Sequence, residues 1–300
     1  VYGGTATVNG GTFGQQVSED GTPGSYSLGS GAFVMGTSSS EDDKGKATIL
    51  GGTFQVAGQA GFSIYQYADV TFGKAGASNG GPTVAGDAAA VALEKEHSTA
   101  TQVTIHSGTF TSDGLVGSGD AVWYGNAAVT LNINGGTFNG EKRSGLYIDN
   151  TANADGSMQS GGSVTIGSGT FEGEQDGITY NRNVSLNISG GTFTGTSRSG
   201  LFFEVDPGTV RLSGGTFVGV PQYAETNHLI DSRKDKWHYN GAIGMGNAQS
   251  GLYKNYNGLK IYLQNILAPN HRAVGASGSY TSGEIRYNVA GETEVKIESN

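Results

Sequence analysis

Cysteine is absent from the 300 residues, so neither a disulfide framework nor a thiolate metal site exists, and the redox compartment stays open. Charge is sparse as well. Only 14% of residues are charged, with a formal net charge of -9. That balance argues against a nucleic-acid backbone or an anionic membrane as partner, because both need clustered Lys and Arg. No apolar run approaches the roughly 20 residues needed to span a bilayer, and no charged-then-apolar leader opens the chain. Apolar residues reach only 35%, poor material for a helical core. What the chain has instead is glycine, 53 of it against 5 Pro, together with Val, Ile, Leu, Phe and Tyr recurring at regular intervals.

Those intervals are internal repeats. One phrase recurs as TATVNGGTF, ATILGGTF, VTIHSGTF, LNINGGTF, VTIGSGTF, LNISGGTF and VRLSGGTF, ending at Phe13, Phe54, Phe110, Phe138, Phe171, Phe193 and Phe217. Each copy reads as an alternating strand, a Gly or Ser bend, and a short second strand. A third strand comes next in GFSIY from Gly61, GLYID from Gly145, GITYN from Gly177 and GLFFE from Gly200. The tightest intervals, Phe171 to Phe193 and Phe193 to Phe217, are 22 and 24 residues. Three short strands and three bends in that length predict one coil of an all-β, right-handed parallel β-helix, with small residues at the corners. Longer intervals, such as the 56 residues from Phe54 to Phe110, hold either loops or degenerate coils. Within that one, Asp87 is expected to cap a short helix through Ala88 to Glu96. From about Val220 the phrase fades, which predicts less regular coils or a closing element. The coils share one core, so residues 1–300 are expected to form a single domain; the start inside a repeat suggests a segment of a longer chain.

Period-2 alternation assigns faces. Phe62 and Ile64, Leu146 and Ile148, Ile178 and Tyr180, and Leu201 and Phe203 share an inward parity. Their partners, Ser63 and Tyr65, Tyr147 and Asp149, Thr179 and Asn181, and Phe202 and Glu204, are expected on an external sheet stacked at about 4.8 Å per coil. Aromatics interleaved with carboxylates and amides suit a sugar, which offers a C–H face and hydroxyls. Strand propensity alone also places Tyr and Phe on such faces.

One bend departs from its siblings. TSDGLVGSGDAVWYGN, Thr111 to Asn126, is longer by about two residues than FNGEKRSG or FTGTSRSG and carries a carboxylate at each end, Asp113 and Asp120. Folded back on itself, such a bend could set the two across a glycine-lined notch with Trp123 as a wall. Two close carboxyls disfavour double ionisation, giving a proton donor beside an ionised partner, the pair that glycosidic cleavage needs. A pair within one bend suits the roughly 5 Å of retaining enzymes, whereas Asp149 and Glu204, two coils apart, would sit nearer 10 Å. The structural alternative is that Asp before Gly caps its own turn.

The GGTF coils, the Asp-Gly bend followed by Gly-Asp-Ala-Val-Trp, and the spacing of seven between the aspartates resemble the β-helical lacto-N-biosidase family of glycoside hydrolases of gut bifidobacteria and relatives. The resemblance implies an extracellular or cell-surface bacterial enzyme that releases lacto-N-biose from type 1 milk oligosaccharides with retention. It implies Asp113 as general acid/base and Asp120 as nucleophile, and an amino-terminal folding-assistance region or a dedicated chaperone as partner. The specific part covers about fifteen residues; GGTF coils are shared in style with pectate lyases and adhesins, and a non-catalytic carbohydrate-binding solenoid is the alternative function.

Further sugar contacts are expected from Tyr65, Gln66, Asn126, Tyr147, Asp149 and Arg182 beside Trp123. His97 and His106 flank the start of the Asp113 coil and are either hydroxyl-binding or ordinary solvent-facing residues. No cofactor is required for this chemistry. Glu41 to Lys44, EDDK, offers oxygen ligands to a structural calcium ion but lacks the spacing of an EF-hand loop, so a charged turn is the simpler reading.

Overall fold

The computed structural model describes residues 4–14, 33–35, 44–65, 67–77, 80–93, 101–115, 119–125, 129–149, 162–181, 184–226, 236–246 and 259–300. Nearly everything described is β. Successive strands visit three sheets in rotation. The first sheet joins in parallel Gly4–Val8, Gly45–Ile49, Ala68–Phe72, Thr101–Ile105, Val129–Ile133, Ser163–Ile166, Ser185–Ile188 and Val210–Leu212. In the second, the GTF segments stack in register from Thr12–Gly14 to Thr216–Val218. The third runs from Phe33–Met35 through Phe62–Ile64, Ala89–Leu93, Asp120–Tyr124, Ser144–Ile148, Asp176–Tyr180 and Ser199–Phe203 to Lys236–Gly246, on which Gln222–Thr226 folds back antiparallel.

The repeated phenylalanine is explained by this register. Parallel neighbours put identical positions side by side, so Phe110, Phe138, Phe171, Phe193 and Phe217 stack with ring centroids 4.5–5.0 Å apart and are fully buried. Near-parallel stacking adds to the area each ring removes from water. Truncating Phe138 to Ala opens a void between two rings that the fixed strand spacing cannot close. The expected loss is about 3–5 kcal/mol in unfolding free energy, read as a lower denaturant midpoint at unchanged slope.

The 56-residue interval holds one more repeat: Ala68–Phe72, Thr83–Gly86 and Ala89–Leu93. Its second strand has Val84 where its neighbours have Phe54 and Phe110. Its first strand has Phe72 where theirs have Ile49 and Ile105. The exchange keeps a ring in the layer, because Phe72 packs edge-on against Phe62 and Phe110 at 5.0 and 5.5 Å. Within the described residues, through Leu93, this repeat also corrects the helix expected over Ala88 to Glu96. Ala89–Leu93 is a strand, paired through Val91 and Leu93 to Val122 and Tyr124. It is buried on both faces, where small side chains fit, and that packing overrides the helical preference of alanine. Asp87 caps no helix: its carboxylate accepts the Gly58 N–H. The one α-helix among the described residues is Leu263–Ile266.

After the last GTF strand the chain closes its own sheet. Glu294–Ser299 pairs antiparallel with Thr216–Val218, and His271–Gly275 and Gly278–Tyr280 extend the sheet beyond it. The fading of the phrase thus marks the approach to a closing element. Its antiparallel strands cover the exposed edge of the second sheet, which would otherwise invite pairing with another chain.

Candidate functional site

The outward-pointing residues of the third sheet form a grid of three rows over four successive repeats. Asp120, Ser144, Asp176 and Ser199 lie at the strand starts. Trp123, Tyr147, Thr179 and Phe202 pair in register behind them. Gly125, Asp149, Asn181 and Glu204 come just after the strands, each N–H bonded to the preceding repeat. For the second and third rows alternation therefore gives the right parity, but this sheet face is not the open surface expected. Ser63, Tyr147, Thr179, Asn181, Phe202 and Glu204 are all buried, and so are Asp120 and Asp176. Burying charged groups is costly without compensation, and the compensation here is visible.

Two Asp–Arg clamps, each spanning one repeat, supply most of it. Asp176 Oδ1 accepts the N–H of Ser199 at 3.1 Å, and Arg198, the residue before that serine, binds both carboxylate oxygens. The Arg198 guanidinium lies 3.9 Å over the Phe202 ring. Asp120 repeats the device: its Oδ1 accepts the Ser144 N–H at 3.1 Å, and Arg143 lies 3.6 Å over the Tyr147 ring. The second contact differs in one respect. Arg143 stands 3.7 Å from Asp120 and is a quarter exposed, whereas Arg198 is half as exposed and bidentate. Bidentate guanidinium–carboxylate pairs are the strong ones, so the clamp at Asp176 is the tighter of the two. Between them, Thr179 donates to Asp176 at 2.7 Å and receives the Ser144 hydroxyl at 2.8 Å.

The third row carries Glu204, only 7% exposed. Burial, reinforced by Asp176 and Asp149 and opposed by Arg198 and Arg143, pushes its carboxyl up to about 7. Tyr147 is raised too, chiefly by burial, and its hydroxyl accepts from Asn181 at 3.1 Å. Trp123 donates its indole N–H to Asp149 at 3.1 Å. The face therefore offers aromatic rings, guanidinium donors, aspartate side chains and, in Glu204, a carboxyl raised to about 7 by burial. Such a set can bind a polyhydroxylated molecule and move a proton on it.

Of the expected site residues, Asp120, Trp123, Tyr147 and Asp149 share this face. Asp113 sits at the other end of the bend, half-buried, where its Oδ1 accepts the Leu115 N–H at 3.1 Å and its charge acts on the Asp87 carboxyl of the preceding repeat. Burial first, then the Asp113 charge, holds Asp87 above the usual carboxylate range. Asp113 thus stands near a second carboxyl, that of Asp87. The glycines of the bend are required: both Gly114 and Gly119 have positive φ, and a Cβ on Gly119 would meet Lys142 Cβ at 2.7 Å. Tyr65 lies after the third strand two repeats before Trp123, its carbonyl accepting from Thr101 at 3.2 Å. His106 belongs elsewhere, at the bend between the first and second sheets, with its Nδ1 3.4 Å from Asn134. Gln66, His97, Asn126 and Arg182 lie outside the described residues, as do Glu41, Asp42 and Asp43 of the calcium expectation. Among the described residues no group of three or more His, Asp or Glu side chains could hold a metal ion, and no helix is long and apolar enough to cross a membrane.

Sequence reasoning misses Arg143, Asp176, Arg198 and the burial of Glu204. A signal is present: an aspartate at a third-strand start is followed, 23 and 22 residues later, by Arg-Ser-Gly. That distance is one repeat. No protein-family model, curated protein or solved structure matches the chain.

Proposed function

We propose that the chain is a glycoside hydrolase built on a right-handed parallel β-helix, with its active site on the outer face of the third sheet. The observation that carries this reading is the burial of three carboxyl groups, Asp120, Asp176 and Glu204, on one sheet face beside Trp123, Tyr147 and Phe202. Burying several ionisable groups on one face is costly for a purely structural sheet, and a carboxyl raised by burial, as Glu204 is, is a group that chemistry uses. Asp120 is the nucleophile: its carboxylate attacks the anomeric carbon as the glycosidic C–O bond breaks. Arg143 offsets its charge while remaining partly in solvent. Asp113, at the other end of the same bend, protonates the departing oxygen and then takes the proton from the water that cleaves the glycosyl ester. No cofactor enters the scheme.

The substrate is lacto-N-biose (Gal-β1,3-GlcNAc) at the non-reducing end of type 1 milk oligosaccharides such as lacto-N-tetraose, handled by a bacterial extracellular or cell-surface protein. The support is the resemblance around Asp113 and Asp120. A second reading, a non-catalytic carbohydrate-binding solenoid, is favoured by one observation: Asp113 caps its own bend through Leu115. Proton NMR during incubation with lacto-N-tetraose separates the two. Release of lacto-N-biose with the β anomer appearing first is the expected result. Binding without release supports the solenoid, and the α anomer first refutes retention.

A further inference from the structure

Glu204 comes just after the third strand of its repeat, with its backbone N–H bonded to the Tyr180 carbonyl at 2.9 Å. Its Oε2 is buried and makes no hydrogen bond within the described residues. Buried polar atoms are rarely left so, because the lost hydration is not recovered. The charged and titratable groups around it are Arg198, Arg143, Asp176, Asp149 and Tyr147. Each has another engagement. Arg198 binds Asp176, Arg143 lies over Tyr147, Tyr147 accepts from Asn181, and Asp149 receives Trp123. Asn181 stands between Asp149 and Glu204 in the same row, so those two carboxyls lie two strand spacings apart, about 10 Å.

We propose that Glu204 is a sugar-binding residue whose Oε2–H donates a hydrogen bond to an acceptor oxygen, hydroxyl or acetamido carbonyl, of a neutral saccharide lying over Asn181. The inference rests on reading this face as a saccharide site. A protonated carboxyl is what the surroundings favour. Burial and the two neighbouring aspartates hold the proton on up to about pH 7, so a donor is present in neutral and mildly acidic solution. Above that pH the group becomes a carboxylate that only accepts, and the bond to the sugar oxygen is lost.

The test is titration calorimetry with the disaccharide lacto-N-biose from about pH 5.5 to about pH 8.5, spanning the raised carboxyl. It compares the wild type with Glu204→Gln and Glu204→Ala. Wild-type affinity is expected to fall roughly tenfold or more across that range as the donor ionises. The Gln variant, which keeps a neutral donor of the same shape, holds the low-pH affinity at every pH; the Ala variant binds weakly throughout. Volume-conserving Gln also guards against misfolding. A ligand-free check accompanies it. The folded carboxyl keeps a proton that an unfolded one loses near 4.5. Wild-type stability should therefore decline from about pH 4.5 to 7 more steeply than that of the Gln variant. Disaccharide binding that is flat in pH and indifferent to Glu204 overturns this proposal alone. No binding by a folded wild type overturns it together with the saccharide reading of the face.

Discussion

Asp176→Asn is expected to lower the unfolding free energy by about 3–5 kcal/mol, the usual cost of breaking a buried ion pair from one side. Asp176 is fully buried and Arg198 nearly so. Losing the carboxylate leaves a guanidinium over the Phe202 ring with little water to receive it. Asparagine keeps an acceptor for the Ser199 N–H, so the loss isolates the charge rather than the backbone bond. Glu204 offers partial relief, because Arg198 already acts on its carboxyl and no longer has Asp176 to satisfy. The deficit should therefore shrink above pH 7, where Glu204 is ionised. Urea denaturation at a pH on each side of that value reads both parts. A variant as stable as wild type at both would show that the clamp contributes nothing to holding the repeats together.

Asp120→Asn reverses the pattern. The same asparagine keeps the acceptor for Ser144, and Arg143, a quarter exposed and 3.7 Å away, retains solvent when the charge goes. Destabilisation should stay below about 1.5 kcal/mol, in the range of a single net hydrogen bond or a partly solvated pair. Hydrolysis should fall about a thousandfold or more in kcat/KM, about 4 kcal/mol of transition-state stabilisation, because an amide is no nucleophile at an anomeric carbon. Steady-state kinetics at saturating and limiting substrate show whether the loss sits in kcat, as the removal of a reacting group requires.

The repeats make the fold legible from the sequence. GGTF copies carry their own register, since like residues stack on parallel neighbours, and strand alternation tells inward Leu146 and Ile148 from outward Tyr147. The failures have local causes. Ala89–Leu93 reads as helical because alanine's preference is a weak, local signal, whereas the constraint that fixes it is a pairing with Val122 and Tyr124, about one repeat along the chain. The third-sheet face reads as exposed because alternation says which way Phe202 and Glu204 point and is silent on what shields them. Sequence distance is silent, too, on neighbours that stacked repeats bring together from one repeat away. That is where Arg143 stands, and where Asp87 stands for Asp113. His106 is close to Asp113 in sequence and lies at a different corner of the repeat.

The most direct test of Asp120 as the reacting group sets the two clamps against each other. Release of p-nitrophenol from the β-glycoside of lacto-N-biose is followed with wild type, Asp120→Asn and Asp176→Asn, at a temperature where all three are folded. The expected result is activity in the wild type, near-complete loss in Asp120→Asn, and in Asp176→Asn a rate within about tenfold of wild type despite the lower stability. A folded wild type that releases nothing, or an Asp120→Asn protein as active as wild type, would contradict the assignment.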